Sequence, residues 1–187
     1  MNHSTIHRVL STFRPALVAI LGLLALLSPM AVGAQEVERE GKFSVQGGAG
    51  LTASPDSFLL EFEGAYEFGN GFAAGPAIQF GIDDHFLLVS PTVFGRYGFD
   101  LSGVSQKQLQ RLTPYVQTGM GFTYIEEGRR NTRDEADFLI NLGVGADYAL
   151  TDHVSVGSRM LFNFLPDKVV GQGFYYSWQV ASLRYRF

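Results

Sequence analysis

The chain has 187 residues, a formal net charge of −4 and no cysteine, with 16 phenylalanine, 8 tyrosine and 22 glycine residues. The lack of cysteine excludes disulfides, cysteine-ligated metals and lipid attachment to a cysteine. The negative charge argues against a general nucleic-acid-binding protein, which needs a basic surface. A chain of this length is expected to form one domain.

The first 34 residues have the three-part pattern of a secretory signal peptide. Arg8 and Arg14 stand in a segment without acidic residues, an apolar run covers residues 16–27, and Val32-Gly33-Ala34 offers a small-x-small cleavage site. The run is short and a Ser-Pro pair breaks it, so a retained membrane anchor is the less favoured alternative. Cleavage after Ala34 would leave residues 35–187, a single domain of 153 residues (187 − 34) with a net charge of −6 (12 basic and 18 acidic side chains).

The remaining sequence alternates apolar and polar residues in eight segments, which is typical of β-strands because successive side chains point to opposite faces. The clearest segment is 58–68, where large apolar residues at even positions alternate with Glu61, Glu63 and Glu67 at odd positions. The eight predicted strands are residues 42–51, 58–68, 72–82, 86–99, 114–125, 138–150, 154–164 and 173–187.

The connections carry further local signals. Gly69-Asn70-Gly71 predicts a hairpin turn, since glycine and asparagine accept the positive φ that tight turns need. Pro76 and Pro91 lack the N–H of a strand ladder, so we expect a bulge or a local loss of pairing there. Residues 100–112 predict a longer polar connection with a helical turn at 105–111.

Residues 126–137 are the most charged segment and predict a water-exposed loop. The loop contains Arg129, Arg130 and Arg133 among five acidic residues. A run of charges is usually only solvated, and binding of lipopolysaccharide phosphates or of a partner is the alternative.

The composition of the polar faces distinguishes two all-β folds. A soluble sandwich or lipocalin-like barrel places Lys, Glu and Asp outside, whereas these faces are rich in Gly, Ala, Ser, Gln and Asn. Small uncharged residues fit a narrow interior. The sequence therefore predicts an all-β fold, an eight-stranded antiparallel up-and-down transmembrane β-barrel with a lumen filled by side chains.

Three segments resemble the small eight-stranded outer-membrane barrel family that groups the OmpA transmembrane domain, OmpX and the opacity proteins. They are residues 115–121 (YVQTGMG), residues 142–148 (LGVGADY) with the turn Thr151-Asp152-His153, and the terminal strand through Leu183, Tyr185 and Phe187. In that family the terminal aromatic-x-Phe pattern is an assembly signal read by the barrel-assembly machinery. The resemblance implies an outer-membrane monomer in contact with outer-membrane lipids and lipopolysaccharide, without nucleic acid or cofactor.

The sequence departs from the resembled family in two respects. Because no peptidoglycan-binding domain follows Phe187, a wall-tethering role is not expected. By counting strands, the connection 100–112 falls on the periplasmic side, where such barrels usually have short turns.

Eight charged residues share the inward-facing parity of their strands. Four acids matching four arginines favour an interior network of ion pairs, because unpaired buried charges are costly. A proton relay or a catalytic carboxylate pair is the alternative. The eight residues are Glu61, Glu63, Glu67, Arg96, Asp147, Arg159, Arg184 and Arg186.

Two histidines would remain after cleavage, His85 and His153, each in a turn next to aspartate. Turns at opposite ends of a barrel cannot share a metal ion or an acid–base site, so we expect no catalytic residue, metal site or cofactor.

We expect a non-enzymatic integral outer-membrane barrel that contributes to envelope integrity or surface interaction. One alternative is a lipid A deacylase or acyltransferase, since such enzymes share this small-barrel form. They use a lipid-facing Ser and His, and the sequence shows no His-Ser-Asn cluster. The other alternative is a narrow OmpW-like channel for small hydrophobic molecules.

Overall fold

The computed structural model describes residues 41–84, 86–127, 136–166 and 173–187. Eight strands form a closed barrel in which each strand is antiparallel to its neighbours and β1 pairs with β8. They are β1 (Lys42–Ala53), β2 (Ser57–Glu67), β3 (Phe72–Ile82), β4 (Phe86–Gly98), β5 (Leu112–Glu127), β6 (Ala136–Ala149), β7 (Val154–Phe164) and β8 (Phe174–Arg186). The predicted fold class is confirmed. The predicted signal peptide lies outside the described residues, and no helix in these ranges is long and apolar enough to cross a membrane.

The outer face of the barrel is apolar. Large side chains such as Phe43, Phe62 and Met120 are more than half exposed, whereas the residues between them in each strand point into the lumen. This is the reverse of a water-soluble barrel and matches a surface that faces lipid. Alternation with a period of two therefore placed the apolar set outside and the polar set inside.

Aromatic rings gather at both ends of this apolar surface. We call the end that carries the first residues of β1 and the last residues of β8 the terminal end, and the other end the distal end. At the terminal end the ring centroids of Phe43 and Tyr66 lie 5.0 Å apart, and those of Tyr185 and Phe187 5.1 Å apart. At the distal end Phe164 and Phe174 pair at 5.3 Å. Such girdles suit the two interfaces of a membrane.

Of the two disruptions expected at the prolines, a bulge or a local loss of pairing, the structure shows the loss of pairing. The β3–β4 register runs unbroken through Pro76 and Pro91. On their other sides, β2–β3 pairing is interrupted opposite Pro76 and β4–β5 pairing opposite Pro91, with the register kept. Proline thus removes local ladder bonds without adding a residue, so pairing is lost and no bulge forms.

The bulge of this barrel lies in β8 instead. The register with β1 shifts between Ala49 and Gly50, and the register with β7 shifts between Gly157 and Arg159. Both shifts fall at Val180 and Ala181, two successive residues that are both exposed on the outer face. Ser158 Oγ donates a hydrogen bond to the Gln179 carbonyl at 3.0 Å and accepts one from Trp178 Nε1 at 3.1 Å. The Ser158 side chain therefore satisfies a backbone acceptor beside the bulge.

The connections at the terminal end differ in length. The turn at residues 69–71 has positive φ at Gly69 (72°) and Gly71 (86°), while the Asn70 side chain accepts a hydrogen bond from the Phe72 N–H at 3.2 Å. Residues 99–111 form the long connection, whose helical turn is shorter than predicted, a 3-10 turn at Leu109–Arg111.

The predicted loop 126–137 is shorter than expected. β5 continues to Glu127 and β6 begins at Ala136, so Asp137 is a strand residue, and its side chain is buried in the lumen. The pairing of Thr123 with Asp137 extends the sheet beyond the predicted start of this strand at residue 138. The sequence did not indicate this extension because residues 126–137 are rich in charge, which is typical of a loop. The three loop arginines, Arg129, Arg130 and Arg133, lie outside the described residues.

Candidate functional site: the charged lumen

Arg159 of β7 meets two glutamates of β2 across the centre of the lumen. Its Nη2 lies 2.7 Å from Glu61 Oε1 and its Nη1 lies 2.6 Å from Glu63 Oε2. The guanidinium and both carboxylates are almost completely buried. Strands distant in the order meet here because eight strands enclose only enough space for side chains.

A second arginine, Arg96 of β4, shares these partners. Its Nη2 pairs with Glu63 Oε1, and its Nε donates to Gln117 Oε1 at 3.0 Å. Gln117 Oε1 also accepts a hydrogen bond from Arg159 Nη1 at 2.8 Å. One glutamate and one glutamine therefore bridge two guanidinium groups, with charge-assisted bonds that are stronger than neutral ones.

Arg184 of β8 continues the network toward the terminal end. Its Nη1 lies 2.6 Å from Asp147 Oδ2, and its Nε and Nη2 donate to Gln46 Oε1 at 2.9 and 2.6 Å. Nearer the opening, Arg186 Nε donates to Glu67 Oε2 at 2.7 Å. This outer pair is partly exposed, at 32% and 22% of the two side chains. Burial of the ion pairs thus falls from the centre to the terminal end.

The structure places all eight of the charged residues singled out in the sequence in ion pairs of the lumen, which we call the lumen network. Six of them are joined in one connected set, and Arg186 and Glu67 form a separate pair nearer the opening. Within this network, four arginines balance four carboxylates in charge. The four oxygens of Glu61 and Glu63 each have an arginine or glutamine donor, including Gln79 and Gln179 on Glu61. Carboxylates held in this way favour a structural role over general base catalysis.

Apolar side chains close the lumen on the distal side of the network. Leu88, Leu139, Leu165 and Tyr175 form a buried cluster, the apolar cap, with Phe86 and Ile125 packed against it. A layer of hydroxyls joins it to the polar part. Ser90 Oγ lies 2.9 Å from Thr123 Oγ1 and 3.3 Å from the Tyr175 hydroxyl. The described lumen is therefore filled by ion pairs in its middle and by hydrocarbon toward its distal end.

The predicted network did not include the glutamines that bond its charged groups, Gln46, Gln79, Gln117 and Gln179, and the omission of Gln179 has a structural reason. The Gln179 amide donates to Glu61 Oε2 at 3.2 Å and its Oε1 accepts from Gln46 Nε2 at 3.0 Å. Gln179 points inward at an odd position, whereas Arg184 points inward at an even one, because the bulge lies between them. The signal was present in the sequence. The apolar face changes from Tyr176 and Trp178 to Leu183 and Tyr185 within one strand.

Of the remaining predicted site residues, those that the structure describes lie on the outside of the barrel or in a turn. Leu183, Tyr185 and Phe187 all face outward, and the Phe187 N–H donates to the Phe43 carbonyl at 2.8 Å. His153 is exposed, with Nδ1 2.9 Å from the Arg186 carbonyl, and His85 lies outside the described residues. Among the described residues, no group of three His, Asp or Glu side chains is arranged to hold a metal ion.

A sequence profile described as an outer membrane protein β-barrel domain matches residues 22–177. The chain belongs to this outer-membrane β-barrel family. No curated protein matches the sequence.

Solved barrels of the same kind share the fold at low identity. The neisserial surface protein A is 14% identical with a TM-score of 0.61, over 79% of this chain and 97% of that chain. The N-terminal barrel of Pseudomonas aeruginosa OprF is 16% identical with a TM-score of 0.60, over 79% and 100%. Ail of Yersinia pestis, solved with the heparin analogue sucrose octasulfate, is 12% identical with a TM-score of 0.53, over 79% and 99%. At these identities the likenesses bear on the fold alone.

Proposed function

We propose that this outer-membrane β-barrel protein is a non-enzymatic structural component of the envelope, contributing to its integrity or to surface interaction. One observation carries the proposal, namely that side chains fill the lumen from its centre to its distal part. The buried ion pairs occupy its centre and the apolar cap its distal part, while the outer face is apolar. A barrel filled in this way supplies a rigid lipid-anchored frame rather than a water-filled path.

The absence of transport is tested by conductance. The purified barrel, inserted into a planar lipid bilayer in potassium chloride, should give no discrete current steps, because ions would have to cross the buried arginine–glutamate pairs. Regular, reproducible current steps would favour the channel alternative. A heat-denatured sample is the control for detergent leakage.

The envelope role and the absence of lipid A chemistry are tested together in cells. Deletion of the gene should raise sensitivity to detergents and large antibiotics, and re-expression should restore resistance. The lipid A mass spectrum should be identical with and without the gene. A changed acyl count would overturn the non-enzymatic role, because it would require cleavage or transfer of an acyl chain.

We also propose that the connection between β5 and β6 contacts lipopolysaccharide phosphates through Arg129, Arg130 and Arg133. Arginine suits phosphate because its planar guanidinium offers paired donors. Replacing all three by glutamine should weaken binding of the folded barrel to lipopolysaccharide micelles. A matched variant, Lys107→Gln and Arg111→Gln in the terminal-end connection, should bind as the unchanged protein does. Equal binding by both variants would remove the loop from this role.

A further inference from the structure

The terminal end of the barrel opens into a polar cavity that the lumen network does not fill. This cavity, the vestibule, has a volume of about 520 Å³. Cavities of this size accommodate small molecules. Its wall includes Lys42, Glu67, Arg96, Asp147, Arg184 and Arg186. The inner three charged side chains, of Arg96, Asp147 and Arg184, are buried, whereas Lys42 is exposed and Arg186 partly exposed.

The acidic groups of the vestibule already have donors. Asp147 holds Arg184, and Glu67 holds Arg186. Asp100 accepts hydrogen bonds from the Ser102 N–H at 2.7 Å and the Ser102 hydroxyl at 2.9 Å. These two bonds lower the pKa of Asp100, and the bond from the backbone N–H has the larger effect. The negative charge of Asp100 is therefore stabilised within its own turn.

Two basic groups near the opening keep unused donors. In the described part of the chain, Lys42 makes no hydrogen bond or ion pair through its ammonium group, and Arg186 uses only Nε, on Glu67. The two side chains are neighbours on the inner face, because Ser44 pairs with Arg186 across the β1–β8 seam and Lys42 lies two residues before Ser44. Long side chains at such diagonal positions can both contact the same group of a ligand.

We propose that the vestibule binds a small water-soluble organic anion, whose phosphate or carboxylate lies between Lys42 and Arg186. An ammonium and a guanidinium with free N–H groups are the donors that such anions require. The strands separate the vestibule from lipid, and its opening is at the terminal end, so the ligand enters from water. A membrane lipid, whose acyl chains stay outside the barrel, does not fit this route.

The test titrates the folded full-length barrel, in non-ionic detergent micelles, with glucose 6-phosphate and with gluconate, using calorimetry. Glucose serves as the neutral probe. We expect both anions to bind saturably with a Kd below about 10 mM, and we expect no binding of glucose. Lys42→Gln should weaken anion binding about tenfold, and Arg186→Gln should do the same. Lys107→Gln removes an equal charge from the exposed connection at the same end and should bind as the unchanged protein does.

Lys42 has no partner in the described fold, so its replacement leaves the barrel intact, and heat-modifiable migration on gels verifies folding for every variant. The proposal would be overturned if neither anion bound saturably. Equal weakening by Lys107→Gln would also overturn it, because the effect would then reflect net charge rather than a site. Binding that appears only in vesicles of anionic phospholipid would assign the contact to lipid headgroups and contradict a water-soluble ligand.

Discussion

At the scale of single residues, Arg159 is the cation on which two buried carboxylates depend. Glu61 and Glu63 are both within 2.7 Å of its guanidinium nitrogens, and none of the three side chains is more than 2% exposed. Removing one partner of a buried pair leaves an uncompensated charge in a low-dielectric interior. The same type of pair at the terminal end, Arg186 with Glu67, is partly in water and is screened.

We therefore predict different costs for two arginine deletions in the same network. Arg159→Ala should lower the free energy of unfolding by about 3–5 kcal/mol, the usual cost of breaking a buried ion pair. Arg186→Ala should cost less than about 1 kcal/mol, as exposed pairs do. Denaturant titrations of the barrel in liposomes measure both values. Equal and small costs would mean that Arg159 is solvated and that the lumen is not closed around it.

The sequence indicates which residues face the lumen but not which residues meet there. Parity alone placed Glu61, Glu63 and Arg159 inside, since each lies on the polar side of an alternating strand. Their contact depends on the stagger of eight strands and on closure, which no local pattern contains. The bridging role of Gln117 has the same origin, and the placement of Gln179 required the bulge to be recognised.

At the scale of the strand, the inward-facing positions of β8 change from odd to even residue numbers between Gln179 and Ser182. A side-chain period of two allows one strand to present Gln179 and Arg184 to the same lumen only if an extra residue is inserted between them. Val180 and Ala181, both outward, supply that residue. The bulge is therefore what joins the two halves of β8 to one network.

We therefore predict that the barrel tolerates a single-residue deletion at the bulge but not within a strand that alternates regularly. Deleting Ala181 leaves Gln179 inward, Val180 outward and Ser182 inward, so every other side chain keeps its face. Deleting Leu142 from β6 reverses the faces of one half of that strand and would turn Asp147 toward lipid. The first variant should still show heat-modifiable migration after refolding, and the second should not. Folding of both variants would show that these strands tolerate a change of register.

The end of β8 is predicted to act in assembly rather than in the stability of the finished barrel. Deleting Phe187 removes one outward aromatic ring and the hydrogen bond from its N–H to the Phe43 carbonyl. The yield of folded protein in the outer membrane should fall while synthesis is unchanged, as measured by heat-modifiable bands against total protein. Deletion of an internal residue of the connection, Gly103, is the matched control. Normal insertion of the Phe187 deletion would make the terminal pattern incidental.

At the scale of the whole molecule, the outer surface and the lumen have opposite chemistry. The outer face carries the aromatic and aliphatic residues that suit lipid, and the inner face carries ion pairs, amides and the apolar cap. The fold class could be predicted because one alternating pattern encodes both faces. The biological role could not, because a filled barrel supports many roles and the specificity of such proteins lies in connections and surface loops.

The lumen is closed between the vestibule and the distal end, and the reactivity of introduced thiols measures this closure most directly. The chain has no cysteine, so a single introduced cysteine is the sole thiol. Ser90 is fully buried between the network and the apolar cap, and Ser102 is exposed in the terminal-end connection. With a charged, water-soluble thiol reagent, Ser90→Cys should react at least about a hundredfold more slowly than Ser102→Cys, since reaction requires opening of the packed lumen. Reaction of the two cysteines at similar rates would show a water-filled path and contradict the closed barrel.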